Sequence, residues 1–125
     1  MAVVRGHFEG SGTINKPIYR PDPMKTLRAC GDMPGSESAV THWESLYSSD
    51  EYSLLETGRT HQIRVHFASM GAPLAGDTMY GAPENEIGHH LLHCAECGFI
   101  HPASGEEICL SAPPPQDFLD FCRSF

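Results

Sequence analysis

Leu55-Glu-Thr-Gly-Arg-Thr-His-Gln-Ile-Arg-Val-His66 sets two arginines, Arg59 and Arg64, five residues apart and joins them through Thr60, His61 and Gln62. Thr60 is an acceptable helix N-cap, and Ile63, Phe67 and Met70 recur at helical spacing along one face. Gly71 sits just past the last turn and Pro73 two residues later, which ends the helix cleanly. His61 and Arg64 then flank one surface beside the apolar stripe. A guanidinium can hold a carboxylate or phosphate through two parallel hydrogen bonds. The helix N-terminus adds unpaired N–H groups and partial positive charge. Isolated arginines on a solvated helix are common. Here Thr57 and His66 add to the polar groups already present, and that density argues for a site that grips an anion. An acid for Arg64 to hold is not evident in the surrounding sequence.

The flanking segments predict short, mainly extended elements. Met1–Gly6 reads as a strand through Val3 and Val4, with Gly6 and Gly10 closing it. Residues 10–38 are rich in Gly, Pro, Ser and Asp and predict loops, with a short edge strand near Ile18–Tyr19. Ala39–Tyr47 reads as a strand with Thr41, Trp43 and Tyr47 on one face. Ser48–Glu51 turns it back into Tyr52–Glu56. Beyond the helix, Leu91–Ala95 and Gly98–Pro102 read as short extended pieces. Phe99–Leu110 predicts a hairpin turning at Ala103-Ser-Gly105, and Asp117–Arg123 a short helix. The class is α+β, a mainly antiparallel sheet with few helices, in one unit over residues 1–125.

The formal net charge is −8, awkward for a nucleic-acid binder, whose affinity rests on cations neutralising phosphates. Residues 1–64 carry seven of the eight basic residues and a net charge of −1, whereas residues 65–125 carry −7. Any polyanion contact therefore falls to the first half. The first ten residues hold no long apolar run, and no stretch reaches the roughly 18 apolar residues of a membrane span. Five scattered cysteines do not form a secreted disulfide framework. The expected setting is cytoplasmic.

Cys94 and Cys97 have the spacing of a zinc-binding pair, and His93 and His101 lie close enough in sequence to complete a tetrahedral set. Two small buried thiols are the plainer reading, since no second such pair exists. No cysteine is placed at a helix N-terminus or beside a defined base, as a nucleophilic thiolate requires.

The arginine run closely resembles a motif of the RluA-type pseudouridine synthases, enzymes that isomerise uridine in ribosomal and transfer RNA. The likeness continues in order through Gly71-Ala-Pro-Leu-Ala-Gly-Asp77, Tyr80-Gly81, Leu92-His93, Phe99, His101-Pro102, Gly105-Glu106, Ala112-Pro113 and Asp117-Phe118. Upstream, Ala2–Gly6, Gly12-Thr-Ile14 with Pro17-Ile18, and Ala39–Trp43 also fit. What the resemblance implies is a partial catalytic domain, its C-terminal part. In that family an aspartate in a His-Arg-Leu-Asp-type motif breaks the glycosidic bond of an extruded uridine, and no cofactor or metal takes part. These 125 residues contain no such motif. The resemblance assigns Arg64 to the catalytic set, as partner of that absent aspartate. Arg59, Thr60, His61 and Gln62 become supporting or RNA-facing residues. It also implies little or no turnover by the chain alone, an RNA partner, and an unpaired edge on strand Ala2–Gly6 that self-association or a complementing chain would cover. A non-catalytic RNA-binding or assembly protein on the same scaffold is the alternative, with a small zinc module the third.

Overall fold

In the computed structural model of the protein, residues 1–57, 60–84 and 87–125 are described, residues 60 and 61 by backbone alone. A four-stranded antiparallel sheet forms the centre. Its strands are β1 (Ala2–Arg5), β2 (Ser11–Asn15), β5 (Val40–Ser48) and β6 (Tyr52–Thr57), in the order β1-β6-β5-β2. Two antiparallel ribbons flank it: β3 (Ile18–Tyr19) with β4 (Ala29–Cys30), and β7 (Glu96–Ile100) with β8 (Glu107–Ser111). Helix α1 (Thr60–Ser69) and helix α2 (Gln116–Arg123) complete the set, with a 3-10 turn at Thr78–Tyr80.

Both faces of the sheet are covered, by different helices. Side chains alternate across a strand, so β1 sends Ala2 and Val4 one way and Val3 the other. Ala2, Val4, Ile14 and Leu55 pack with Ile63 and Phe67 of α1 and with Leu74. Val3 packs with Ala75, Leu91 and Phe118 of α2, and Tyr52, Leu54, Phe121 and Phe125 close around them. An apolar run without alternation is what a strand buried on both faces requires.

The ladder between β5 and β6 is irregular, and this corrects the expectation for Tyr47. Ser45 pairs with Leu55 but Tyr47 pairs with Leu54, so Leu46 is the extra residue of a β-bulge. The bulge turns Tyr47 away from the face of Trp43 and towards Phe125, whose ring lies 5.7 Å off. Span 10–38, expected as loops with one edge strand, also holds β2 and β4. Strand β2 exists because Gly12 lies under Trp43: a Cβ there would come within 2.6 Å of the indole. The hairpin through Gly105 and both helices follow expectation, except that Met70 is 44% exposed and does not extend the buried stripe. Val65 and His66 broaden the buried face instead.

The exposed edge expected for β1 does not exist. Its outer rim is filled from the same chain. Val3 N–H donates to Leu91 O at 3.1 Å, Ala75 N–H to Val3 O at 2.9 Å, and Arg5 N–H to Pro73 O at 3.0 Å. These bonds hold segments 72–77 and 89–92 beside the sheet, which is how they reach α1.

Candidate functional site

Arg64 is held by Asp77. Nε donates to Oδ2 and Nη2 to Oδ1, both at 2.8 Å, in a two-pronged pairing. The Asp77 side chain is 1% exposed and that of Arg64 25% exposed, so the acid lies behind the guanidinium. This corrects the reading that Arg64 lacks a counter-ion in the surrounding sequence. The partner lies thirteen residues on, beyond the helix. Hydrogen bonding to Asp77, and then its charge, raise the Arg64 pKa above its ordinary value against an opposing effect of burial. The guanidinium also lies over the Tyr80 ring, 5.2 Å from its centroid. Its Nη1 has no partner among the described residues.

Why the acid reaches Arg64 is local. Gly76 has φ of 80°, in the left-handed region, and packs against the carbonyl of His89 where a side chain has no room. The next residue is thereby turned inwards, and Asp77 N–H donates to Leu74 O at 3.0 Å. The 3-10 turn that follows brings Tyr80 over the guanidinium.

Arg64, Gln62, Tyr80, His90 and Leu92 line a cavity of about 730 Å³, together with Tyr19, Arg20 and Arg28 from the β3–β4 ribbon and its connecting turn. That volume is within the range that takes a nucleotide-sized ligand. Gln62 lines it while its Nε2 donates to Val40 O and to Thr41 Oγ1, which leaves its amide oxygen for the cavity. Burial, and after it the charge of Arg64, lower the pKa of His90, so its imidazole stays uncharged at neutral pH. Cationic character therefore comes from Arg20, Arg28 and Arg64, with Glu37 and Asp77 opposing. A second groove, of about 460 Å³ along Gly12, Trp43 and Thr57, has Glu44 and Glu56 as the charged groups among its described lining residues.

Other residues singled out in the sequence fall elsewhere. His66 is fully buried, with Nε2 donating to Lys16 O at 2.9 Å and Nδ1 2.6 Å from Thr41 Oγ1. It ties α1 to the sheet and does not face the cavity. Arg59 lies outside the described residues, and so do the side chains of Thr60 and His61. The zinc candidates make local bonds. His93 donates through Nε2 to Ala112 O, Cys94 lies 3.3 Å from Glu96 O, and His101 Nδ1 accepts from the Ala103 and Ser104 N–H groups. Cys94 and Cys97 are both exposed, which corrects the reading of them as two small buried thiols. Among the described residues no three His, Cys, Asp or Glu side chains are grouped to hold a metal. The ribbon wall, with Tyr19, Arg20 and Arg28, escaped the sequence reading. Its signal was present, since residues 16–28 hold four of the eight basic residues and one acid.

Beside the cavity, His89 Nε2 lies 2.6 Å from Asp117 Oδ2, clasping segment 87–92 to the first turn of α2. Hydrogen bonding to Asp117, then the His90 carbonyl, raise the His89 pKa, and hydrogen bonding to His89 lowers that of Asp117. The raised His89 pKa contributes stability that is full below the unfolded value of 6.5 and fades as pH rises through the folded value. The depressed Asp117 pKa contributes stability present above its unfolded 3.8 and lost as pH falls through the folded one. An NMR titration should find His89 titrating above 6.5, and Asp117→Asn should bring it down. A His89 pKa indifferent to that change would mean the clasp is not formed in solution.

A family model described as RNA pseudouridylate synthase matches residues 1–69, which hold β1 to β6 and α1. The uncharacterized RNA pseudouridine synthase YhcT of Bacillus subtilis (strain 168) is 42% identical over 120 residues, covering 91% of this chain and 39% of that protein. Ribosomal large subunit pseudouridine synthase D of Zymomonas mobilis subsp. mobilis is 37% identical over 131 residues, covering 93% of this chain and 41% of that protein. Among solved structures, human RNA Pseudouridylate Synthase Domain Containing 1 superposes with a TM-score of 0.70 at 29% identity, over 91% of this chain and 53% of its own. The chain thus spans about two-fifths of the length of the curated relatives it matches.

Proposed function

The chain belongs to the RNA pseudouridylate synthase family, and from that premise we propose that it takes part in isomerising uridine to pseudouridine in RNA. The cavity receives the extruded base, and the free Nη1 edge of Arg64 holds the aspartate that breaks the glycosidic bond. The observation that carries this reading is the two-pronged Arg64–Asp77 pairing at the cavity wall. It fixes the guanidinium in place and leaves one edge free for a second anion. An arginine so placed keeps a reacting carboxylate ionised and oriented. Asp77 itself is buried behind the guanidinium with both oxygens engaged, so it positions Arg64 and does not meet the sugar. The reacting carboxylate comes from outside these 125 residues.

The decisive assay is nucleoside analysis of RNA incubated with the 125-residue protein, alone and with the aspartate-bearing portion of a relative. Pseudouridine should form only in the combined reaction, and Arg64→Ala should remove it. Robust turnover by the chain alone, lost in Asp77→Asn, would instead make Asp77 the reacting acid. RNA binding with no turnover in either reaction would favour the non-catalytic reading. The same proposal places the protein in the cytoplasm, a reducing setting that suits its five free cysteines.

A further inference from the structure

The β3–β4 ribbon has a composition unlike the rest of this acidic chain. Residues 16–28 hold Lys16, Arg20, Lys25 and Arg28 against one acid, Asp22, in a protein of net charge −8. Asp22 is partly spent on its own turn, where Oδ1 accepts from Met24 N–H at 3.0 Å. Arg20 and Arg28 line the cavity with one carboxylate, Glu37, on the same lining, and neither arginine forms an ion pair among the described residues. Among the described residues the Arg20 guanidinium makes one hydrogen bond, a long one of 3.5 Å to Pro23 O. Arg64, on the same cavity, is by contrast paired with Asp77.

The ribbon is also fixed in place. Arg28 N–H donates to the Tyr80 hydroxyl at 3.0 Å, and Tyr80 carries the Arg64 guanidinium on its ring. One tyrosine therefore links the ribbon that carries Arg20 and Arg28 to the Arg64–Asp77 pair. Behind the ribbon, Gly31 N–H donates to Pro17 O at 2.9 Å, and Cys30 Sγ lies 3.9 Å from the Val65 carbonyl of α1.

We propose that Arg20 and Arg28 form a phosphate-binding subsite that grips the diester linkages on either side of the nucleotide entering the cavity, with Tyr80 setting the distance from that subsite to Arg64. This rests on the RNA reading above and adds to it where the backbone runs. Phosphate contacts of this kind position a strand without reading its sequence, and they carry most of the salt dependence of binding. In a chain this acidic, such a contact is local, and on the ribbon Arg20 and Arg28 outnumber Glu37 beside a cavity of nucleotide size.

The test is fluorescence anisotropy with a short uridine-containing RNA across a salt series. The protein is compared with its Arg20→Ala/Arg28→Ala double variant, and Arg20→Lys/Arg28→Lys serves as the charge-retaining control. The alanine pair should weaken binding at low salt roughly tenfold and lower the salt slope by about 1.4, whereas the lysine pair should keep the slope. Neutral methylphosphonate linkages flanking the uridine should cost the unaltered protein a similar factor and cost the alanine variant almost nothing. An unchanged slope, or losses from the neutral linkages and the variant that simply multiply, would overturn the subsite. Loss of uridine monophosphate binding in the alanine variant, with RNA binding intact, would also overturn it, as that marks a site for a free phosphate. If an abasic substitution weakens binding while the alanine variant does not, the subsite falls and the base-binding cavity stands. No RNA binding by the unaltered protein at low salt removes both.

Discussion

Arg64→Met should destabilise the protein by about 3–4 kcal/mol, because it strands the carboxylate of Asp77 where water hardly reaches it. The loss is not the worth of the ion pair. Two buried hydrogen bonds disappear together, and the remaining charge must either stay unsolvated or take up a proton. Arg64 retains some contact with solvent, which keeps the figure below that of a wholly buried pair. Asp77→Asn in the same background should recover part of the loss by removing the stranded charge. Urea denaturation of the unaltered protein and the two variants measures both steps. A cost under about 1 kcal/mol for Arg64→Met would show that the pairing contributes little. Activity in the reconstituted reaction should vanish in both variants, since neither keeps the Arg64 guanidinium.

Gly76→Ala should have an effect of similar size for a different reason. Gly76 has a positive φ, and its α-carbon faces the backbone carbonyl of His89, which cannot rotate away as a flexible side chain could. The added methyl group must displace segment 87–92 or force Gly76 out of its turn, at a cost of about 2–4 kcal/mol. Either route moves Asp77, whose direction depends on that turn, and His90, which lines the cavity. Denaturation should show the loss, and the salt-dependent RNA affinity should fall with it. Gly71→Ala is the matched control, with φ of 75° but nothing within 4 Å of the added carbon. If both variants lose equally, conformational strain accounts for the effect and the close approach to His89 contributes nothing.

Much of the fold was open to a reading of residue order because local chemistry and tertiary structure agree there. The apolar run at Ala2–Val4, the turn at Gly105 and the stop at Gly71 each have a local cause that the folded chain keeps. Failures came where a distant residue decides. Ser11–Asn15 reads as loop because Gly12 disfavours a strand, yet that glycine is what lets Trp43 lie flat across β2. The bulge at Leu46 leaves no trace in the pattern of Thr41, Trp43 and Tyr47, since alternation simply continues in the letters. His66 looked like part of a polar cluster, and only the packing of α1 on the sheet reveals it as buried.

The site divides in the same way. That Arg64 should matter was legible from the polar density around it. What it holds was not, because Asp77 is brought to it by a turn and by bonds to strand β1 that no helical spacing encodes. The cationic wall was hidden behind its prolines and glycines, which speak for loop structure and say nothing about which way Arg20 and Arg28 face.

Filling the rim of β1 with segments 72–77 and 89–92 has a consequence for how the molecule fails. The same two stretches satisfy the strand's amides and deliver Asp77 and His90, so no partly built binding wall exists beside an intact strand. A local opening that frees the rim also scatters the ligand-facing groups. Competence to bind and resistance to sticky edge-to-edge pairing are therefore lost in one step, at one free energy.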